Sequence, residues 1–289
     1  MKTKSIQILT VMLVIIISSC GCKKNDSSTS ANSEQPVNPK HNYVVILDLS
    51  DRLLNEGQVE KDSAIIMATF SQFEKTARSP LIVTSNDRFI VRILPQRGSS
   101  LKQEQYENRL IIDLSTFSAA NKNTAFVSFK NNLSKTISDL YKEAHIGNST
   151  KNYAGVDIWM FFNNEINSEL INDAENKVVI LTDGYFDFND NANVIHNKNQ
   201  HTSTNFIASL NCKDWQAKAV RDSIGLIPVS ITTKASWIIS GVHRKNSDPL
   251  MAIKLEYFWK KWLIESGATC PRIILDNASS VMVNEFTKL

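Results

Sequence analysis

Tyr43-Val44-Val45-Ile46-Leu47-Asp48-Leu49-Ser50 and Lys177-Val178-Val179-Ile180-Leu181-Thr182-Asp183-Gly184 share one apolar tetrapeptide, and each copy runs straight into polar residues that include an aspartate. A short β-branched run without polar alternation reads as a strand buried on both faces, the usual state of a parallel strand in an α/β sheet. Its abrupt polar end delivers a carboxylate to the carboxyl edge of the sheet, where open α/β sheets bind their ligands. The copies lie about 130 residues apart, so only the tertiary fold can make them neighbours. Asp48 and Asp183 are therefore the candidate site. The plainer alternative is that each caps a helix or satisfies loop amides at its strand end.

Around this pair, strands and helices alternate. Val59, Ile66, Phe70, Phe73 and Ala77 fall on one helical face, ended by Ser79-Pro80. Phe89–Leu94 and Arg109–Leu114 read as strands, joined by a turn and a short helix around Lys102–Asn108. Phe126, Phe129, Leu133, Ile137 and Leu140 mark a second helix, and Ile158, Phe161 and Phe162 a third, just after Gly155. Phe206–Ser223 reads as helical with Trp215, Ala219 and Val220 inward. Of Leu226–Ile231 and Trp237–Val242 at least one is a strand. Leu250–Ser266 is a helix, with Ile253, Tyr257 and Ile264 in its stripe and Gly267 as its stop. Arg272–Leu275 makes a last strand, and Ser280–Phe286 a strand or helical tail. The expected fold is α/β, a doubly wound and mostly parallel sheet with helices on both faces.

Residues 1–20 read as an export signal. Lys2 and Lys4 lead an apolar run, Ile6–Ile17, which is shorter than the roughly 20 residues of a spanning helix. Ser18-Ser19-Cys20 resembles a bacterial lipobox, which implies cleavage and lipidation at Cys20. Cys22 is the alternative acceptor, and an uncleaved anchor the alternative use of the segment. Residues 21–41, rich in Ser, Asn, Lys and Pro, bury too little to fold and form a tether. The lipoprotein resemblance implies the envelope of a Gram-negative bacterium and, because Gly21 is not aspartate, its outer membrane. Residues 42–289 suffice for one α/β domain with a substantial core. A formal net charge of +3 without a basic, aromatic-interleaved stripe argues against nucleic acid. Cys212 and Cys270 are equally consistent with a disulfide and with two buried free thiols. His196 and His201 form a loose pair in a polar loop, read as solvated. No phosphate-binding glycine loop, GxSxG or HExxH is present.

Asp48-Leu49-Ser50, Thr182-Asp183-Gly184 and the segment Tyr153-Ala154-Gly155-Val156-Asp157-Ile158 together resemble the three motifs of a von Willebrand factor A domain. The resemblance covers most of Tyr43–Leu275 in its order of elements. It implies an adhesion site for Mg²⁺ or Mn²⁺ held by Asp48, Ser50 and Asp183 and completed by a partner's carboxylate. Arg52 stands where the family has a second serine, and Val156 where it has threonine, so the site is degenerate. Asp157 is a stand-in ligand, and the Arg52 guanidinium a substitute cation that forks onto Asp48 or Asp183. A rival resemblance is to haloacid-dehalogenase-like phosphatases. It makes Asp48 the nucleophile, Leu81–Ser85 a second motif, and Asp183 with Asp187 an Mg²⁺ site. Ser50 in the general acid position weighs against it. The expected function is recognition, without catalysis, of a protein or acidic ligand through an edge lined by Asp48, Ser50, Arg52, Asp157 and Asp183. A scaffold that uses some other surface is the remaining alternative.

Overall fold

The computed structural model describes residues 39–96, 99–186 and 195–286. Cys20, the signal, the tether up to residue 38, and the acidic residues Asp187 and Asp190 lie outside them. Among the described residues no helix is long and apolar enough to cross a membrane.

The two twin segments are direct neighbours. β1 (Lys40–Leu47) and β4 (Ala174–Leu181) pair in parallel, with Val44 opposite Val178, Val45 opposite Val179, Ile46 opposite Ile180 and Leu47 opposite Leu181. β1 starts at Lys40, so Lys40 and His41 belong to the sheet and not to the tether. The His41 amide donates to Asp87 Oδ1 at 2.9 Å, which holds the strand's first turn of chain in place. β2 (Arg88–Ile93) flanks β1 on its other side, and β3 (Ile111–Asp113) closes that edge as the sheet's antiparallel strand. With β8 (Ala235–Val242) and β9 (Arg272–Leu275) the order is β3-β2-β1-β4-β8-β9. A small second sheet, β5 (His196–Asn197), β6 (Gln200–His201) and β7 (Gly225–Leu226), lies apart from it in the strand pairing.

Alternate residues of the central strands feed two separate cores, which is why these strands are apolar without a break. Val44, Ile46, Val178 and Ile180 pack with Phe161 and Phe162 of α4 (Ile158–Asn164) and with Trp259 and Trp262 of α7 (Met251–Glu265). Tyr43, Val45, Leu47, Val179 and Leu181 pack on the opposite face. Their partners there are Phe70 and Phe73 of α1 (Gln58–Arg78), Phe126 and Leu133 of α3 (Ala119–Ala144), and Met282 and Phe286 of α8 (Ser279–Phe286). The fold is α/β and doubly wound, as its sequence predicts. Short helices α2 (Gln103–Glu107), α5 (Ile166–Glu169) and α6 (Trp215–Arg221) complete the set.

Several local expectations change. Phe206–Ser223 is not one helix: a 3-10 turn at Asn205–Ser209 precedes α6, and Val220 is 64% exposed. In α7 the inward stripe is Met251, Leu255, Phe258, Trp259 and Trp262, while Ile253 and Ile264 face outward at 50% and 57% exposure. Three bulky aromatics set the rotation of that helix and override the aliphatic count. Cys212 and Cys270 are free thiols, but neither is buried: Cys212 is half-buried and Cys270 exposed. His196 and His201 pair across the β5–β6 hairpin, with their Nδ1 atoms 2.7 Å apart.

β8 ends in a bulge at Gly241, whose φ of 98° a side chain would strain. A Cβ there would stand 3.0 Å from the Thr182 carbonyl oxygen and 3.3 Å from Arg52 Nη2. Gly241→Ala is expected to cost roughly 1–3 kcal/mol of stability in urea unfolding. A loss within about 0.5 kcal/mol, as at an ordinary surface position, would show that the bulge is unconstrained.

Candidate functional site

The strand order reverses between β1 and β4, so a crevice opens at their carboxyl ends. The Asp48 amide donates to the Leu181 carbonyl at 3.0 Å, extending the β1–β4 ladder past the strands. Asp48 and Asp183 are both 1% exposed. Each Asp48 oxygen is engaged: Oδ1 accepts from the Ser50 amide at 2.9 Å and Oδ2 from Thr182 Oγ1 at 2.8 Å. Thr182 Oγ1 in turn accepts from the Gly184 amide at 3.1 Å. The two strand ends are thus stitched by a threonine bridge. Burial pushes the Asp48 carboxyl up to about 6, reinforced by the Asp183 charge and opposed by Arg52, Ser50 and Thr182.

Arg52 does not fork onto Asp48 or Asp183. Its Nη1 and Nη2 donate to the two oxygens of Asp62 at 2.7 and 2.9 Å, and Nη1 reaches Asp48 only at its backbone carbonyl, 3.1 Å away. Asp62 lies on the inward face of α1 and also accepts from Gln58 Nε2 and the Tyr141 hydroxyl, each at 2.9 Å. Burial works against the Arg52 charge, but Asp62 outweighs it and holds the guanidinium above its ordinary pKa. Tyr141 is pushed well above the usual phenol value by burial and by Asp62. This closed network fixes the turn after β1 and faces inward.

The cation at the edge is Lys245. Its Nζ stands 2.6 Å from Asp51 Oδ1 and 2.6 Å from Asp183 Oδ2. The Gly241 bulge turns the chain toward this position. The His243 amide then donates to the Asp183 carbonyl at 3.2 Å, and the Lys245 amide to the Tyr185 hydroxyl at 3.0 Å. The ammonium also lies 5.2 Å from the centre of the Tyr185 ring. Burial opposes the Lys245 charge, yet Asp183 and then Asp51 raise its pKa above the ordinary lysine value. The Trp259 indole donates to the Gly184 carbonyl at 2.9 Å.

A cavity of about 330 Å³ opens here. It is lined by Ser50, Asp51, Asp183, Tyr185 and Lys245, and by Thr150, Lys151, Tyr153, Gly155 and Val156 of the loop before α4. Asp157 belongs to that loop but not to the lining: its Oδ1 accepts from the Met160 amide at 2.9 Å and caps α4. Of the residues expected at the edge, Asp48, Ser50 and Asp183 converge there, Arg52 turns inward and Asp157 serves a helix. Lys245, Asp51 and Tyr185 were not anticipated. One signal existed, since His243-Arg244-Lys245 follows a predicted strand end and so falls on the same edge.

Mg²⁺ needs near-octahedral oxygen donors at about 2.0–2.1 Å. Arg52 and Val156 supply no hydroxyl, both Asp48 oxygens are bonded to protein groups, and Asp51 and Asp183 hold an ammonium. So arranged, Asp48, Ser50 and Asp183 do not fit a divalent ion. The phosphatase motif does not assemble either. Thr84 and Ser85 precede β2, which runs parallel to β1, so they sit at the amino end of the sheet, on the order of 20 Å from Asp48 at about 3.3 Å per residue. Thr84 Oγ1 donates to the Leu81 carbonyl there.

No protein-family model and no curated protein matches the chain. Proximal thread matrix protein 1 from the mussel byssus is similar over 87% of this chain and 47% of its own length, at 12% identity and a TM-score of 0.32. The chain spans about half of that protein, and a likeness of this order carries no argument.

Because its folded-state pKa is raised from 3.8 to about 6, Asp48 contributes stability that is present below pH 3.8 and lost as pH rises through 6. At about 1.4 kcal/mol per pH unit, ionising it costs on the order of 3 kcal/mol. Asparagine keeps an acceptor for the Ser50 amide and supplies a donor for Thr182. Asp48→Asn should therefore be more stable than wild type at pH 8 and nearly equal at pH 4, by urea unfolding. Equal stability at both pH values would mean that this carboxylate ionises freely.

Proposed function

We propose that the chain is a lipid-anchored cell-envelope protein whose von Willebrand factor A-like domain binds a protein or acidic ligand at the carboxyl edge of its sheet, without catalysis. One observation carries this reading: the cavity at the switch point is walled by Asp51, Asp183, Lys245 and Tyr185, with Lys151 also in its lining. The lining gathers two carboxylates, the ammonium groups of Lys245 and Lys151 and the Tyr185 ring around one cavity, the mixture of placed polar groups and flat contact that recognition sites use. The order of the sheet, with its crevice between β1 and β4, supports ligand binding on this edge. The separation of Thr84 from Asp48 speaks against phosphoryl transfer. The Ser18-Ser19-Cys20 motif supports anchoring through Cys20 to the outer membrane of a Gram-negative bacterium.

Two measurements test this. Cys20→Ser should abolish incorporation of labelled palmitate, and labelling that persists would move the anchor to Cys22 or remove it. Partners crosslinked to the full chain in cells should be lost from an Asp48→Asn/Asp183→Asn double variant that retains its circular dichroism. An unchanged set of partners would assign binding to another surface.

A further inference from the structure

We infer that Lys245 is the resident cation of the carboxyl edge: its ammonium occupies the place of a divalent ion, and the edge works without metal. The inference concerns the same surface as the proposed binding function and rests on that reading for its biological purpose, but not for its chemistry.

Three observations converge on it. The first is distance, since Nζ donates to Asp51 Oδ1 at 2.6 Å and stands 2.6 Å from Asp183 Oδ2 as an ion pair, an oxygen that accepts no hydrogen bond of its own among the described residues. Of the ammonium's three donors Asp51 takes one, while Asp183 is held by charge alone. The second is placement, because the Lys245 backbone is itself fixed. Its amide bonds Tyr185, two residues after Asp183, and the preceding His243 amide bonds the Asp183 carbonyl. A freely swinging surface lysine has no such tether. The third is the remaining donor set. The side chains that would complete an octahedron are a valine and an arginine, and that arginine is committed to Asp62. An ion entering between Asp51 and Asp183 would have to expel an ammonium that already offsets one of their two charges, with few oxygens to gain.

The ligand class follows. A divalent ion accepts several oxygens at once, whereas a lysine offers a few N–H donors and a single charge. With Asp51 and Asp183 against one ammonium the cluster keeps a negative balance, so the edge suits a neutral acceptor of a protein partner, a carbonyl or hydroxyl oxygen, set beside the Tyr185 ring.

Mn²⁺ binding to the full chain in a non-ionic detergent, followed by loss of the six-line resonance of the free ion, tests the assignment. Wild type is expected to leave the resonance unchanged through the micromolar range. Lys245→Ala should bind one Mn²⁺ roughly 100-fold more tightly than wild type, the scale expected when a positive charge a few ångströms from an ion is removed in partly buried surroundings. Adding Asp183→Asn to Lys245→Ala should abolish that gain, and Lys245→Arg should behave like wild type. If Lys245→Ala fails to fold, Lys245→Gln replaces it, and its melting temperature should rise with Mn²⁺ while that of wild type does not. Micromolar, one-to-one binding by wild type overturns the inference, as does a folded Lys245→Ala or Lys245→Gln that gains nothing. Unchanged partners in the crosslinking experiment would strike the binding function and leave this result standing.

Discussion

The parallel pairing of β1 with β4 is the constraint on which the rest depends. Because Val44–Leu47 lies level with Val178–Leu181, the residues that follow each strand emerge side by side. Asp48 then meets Thr182, and Asp183 falls one position further along the same rim. A slip of one residue would exchange the faces of every apolar side chain and send Val45 and Val179 into the wrong core. The register that fills two cores is thus the register that brings two acids together. Core packing and site geometry are one specification here.

Gathering carboxylates in a buried rim is electrostatically unfavourable, and the chain answers it with two cations of different kind. Arg52 is planar and takes Asp62 in a fork, deep under the turn, where a rigid guanidinium suits a closed network. Lys245 reaches in from a third strand end and holds Asp51 and Asp183 as a point charge on a flexible stem. The inner pair builds the turn, and the outer pair faces the cavity. Asp48 lies between them; burial, and then the Asp183 charge, raises its pKa more than the nearby Arg52 lowers it.

Much of this was legible in the sequence, for physical reasons. Doubly buried strands leave an unbroken apolar signature, so the twin segments announced the fold class, their own adjacency and the two acids at their ends. Long amphipathic helices such as α1 and α3 were equally plain. The failures share a cause, which is that local pattern does not say which way a side chain turns once several strand ends meet. Arg52 stands four residues from Asp48, close enough in sequence to suggest a pair, yet Asp62 on α1 offers its guanidinium two oxygens. Asp157 was grouped with the site by motif, but the nearest unsatisfied groups were the first amides of α4. Lys245 lies in a polar loop, and the bonds from the His243 and Lys245 amides to Asp183 and Tyr185 hold that loop beside Asp183, which no local pattern shows. In α7 the face was set by three large aromatics rather than by the aliphatic spacing.

The bond from the Trp259 indole to the Gly184 carbonyl has a practical consequence. It places a fluorophore one residue beyond Asp183, buried on its ring side by Phe186 and Trp262. Movement of the peptide at Gly184 alters the field along that indole dipole. The rim therefore has an intrinsic reporter bonded to its own backbone, one whose share of the emission of five tryptophans is what Trp259→Phe would remove.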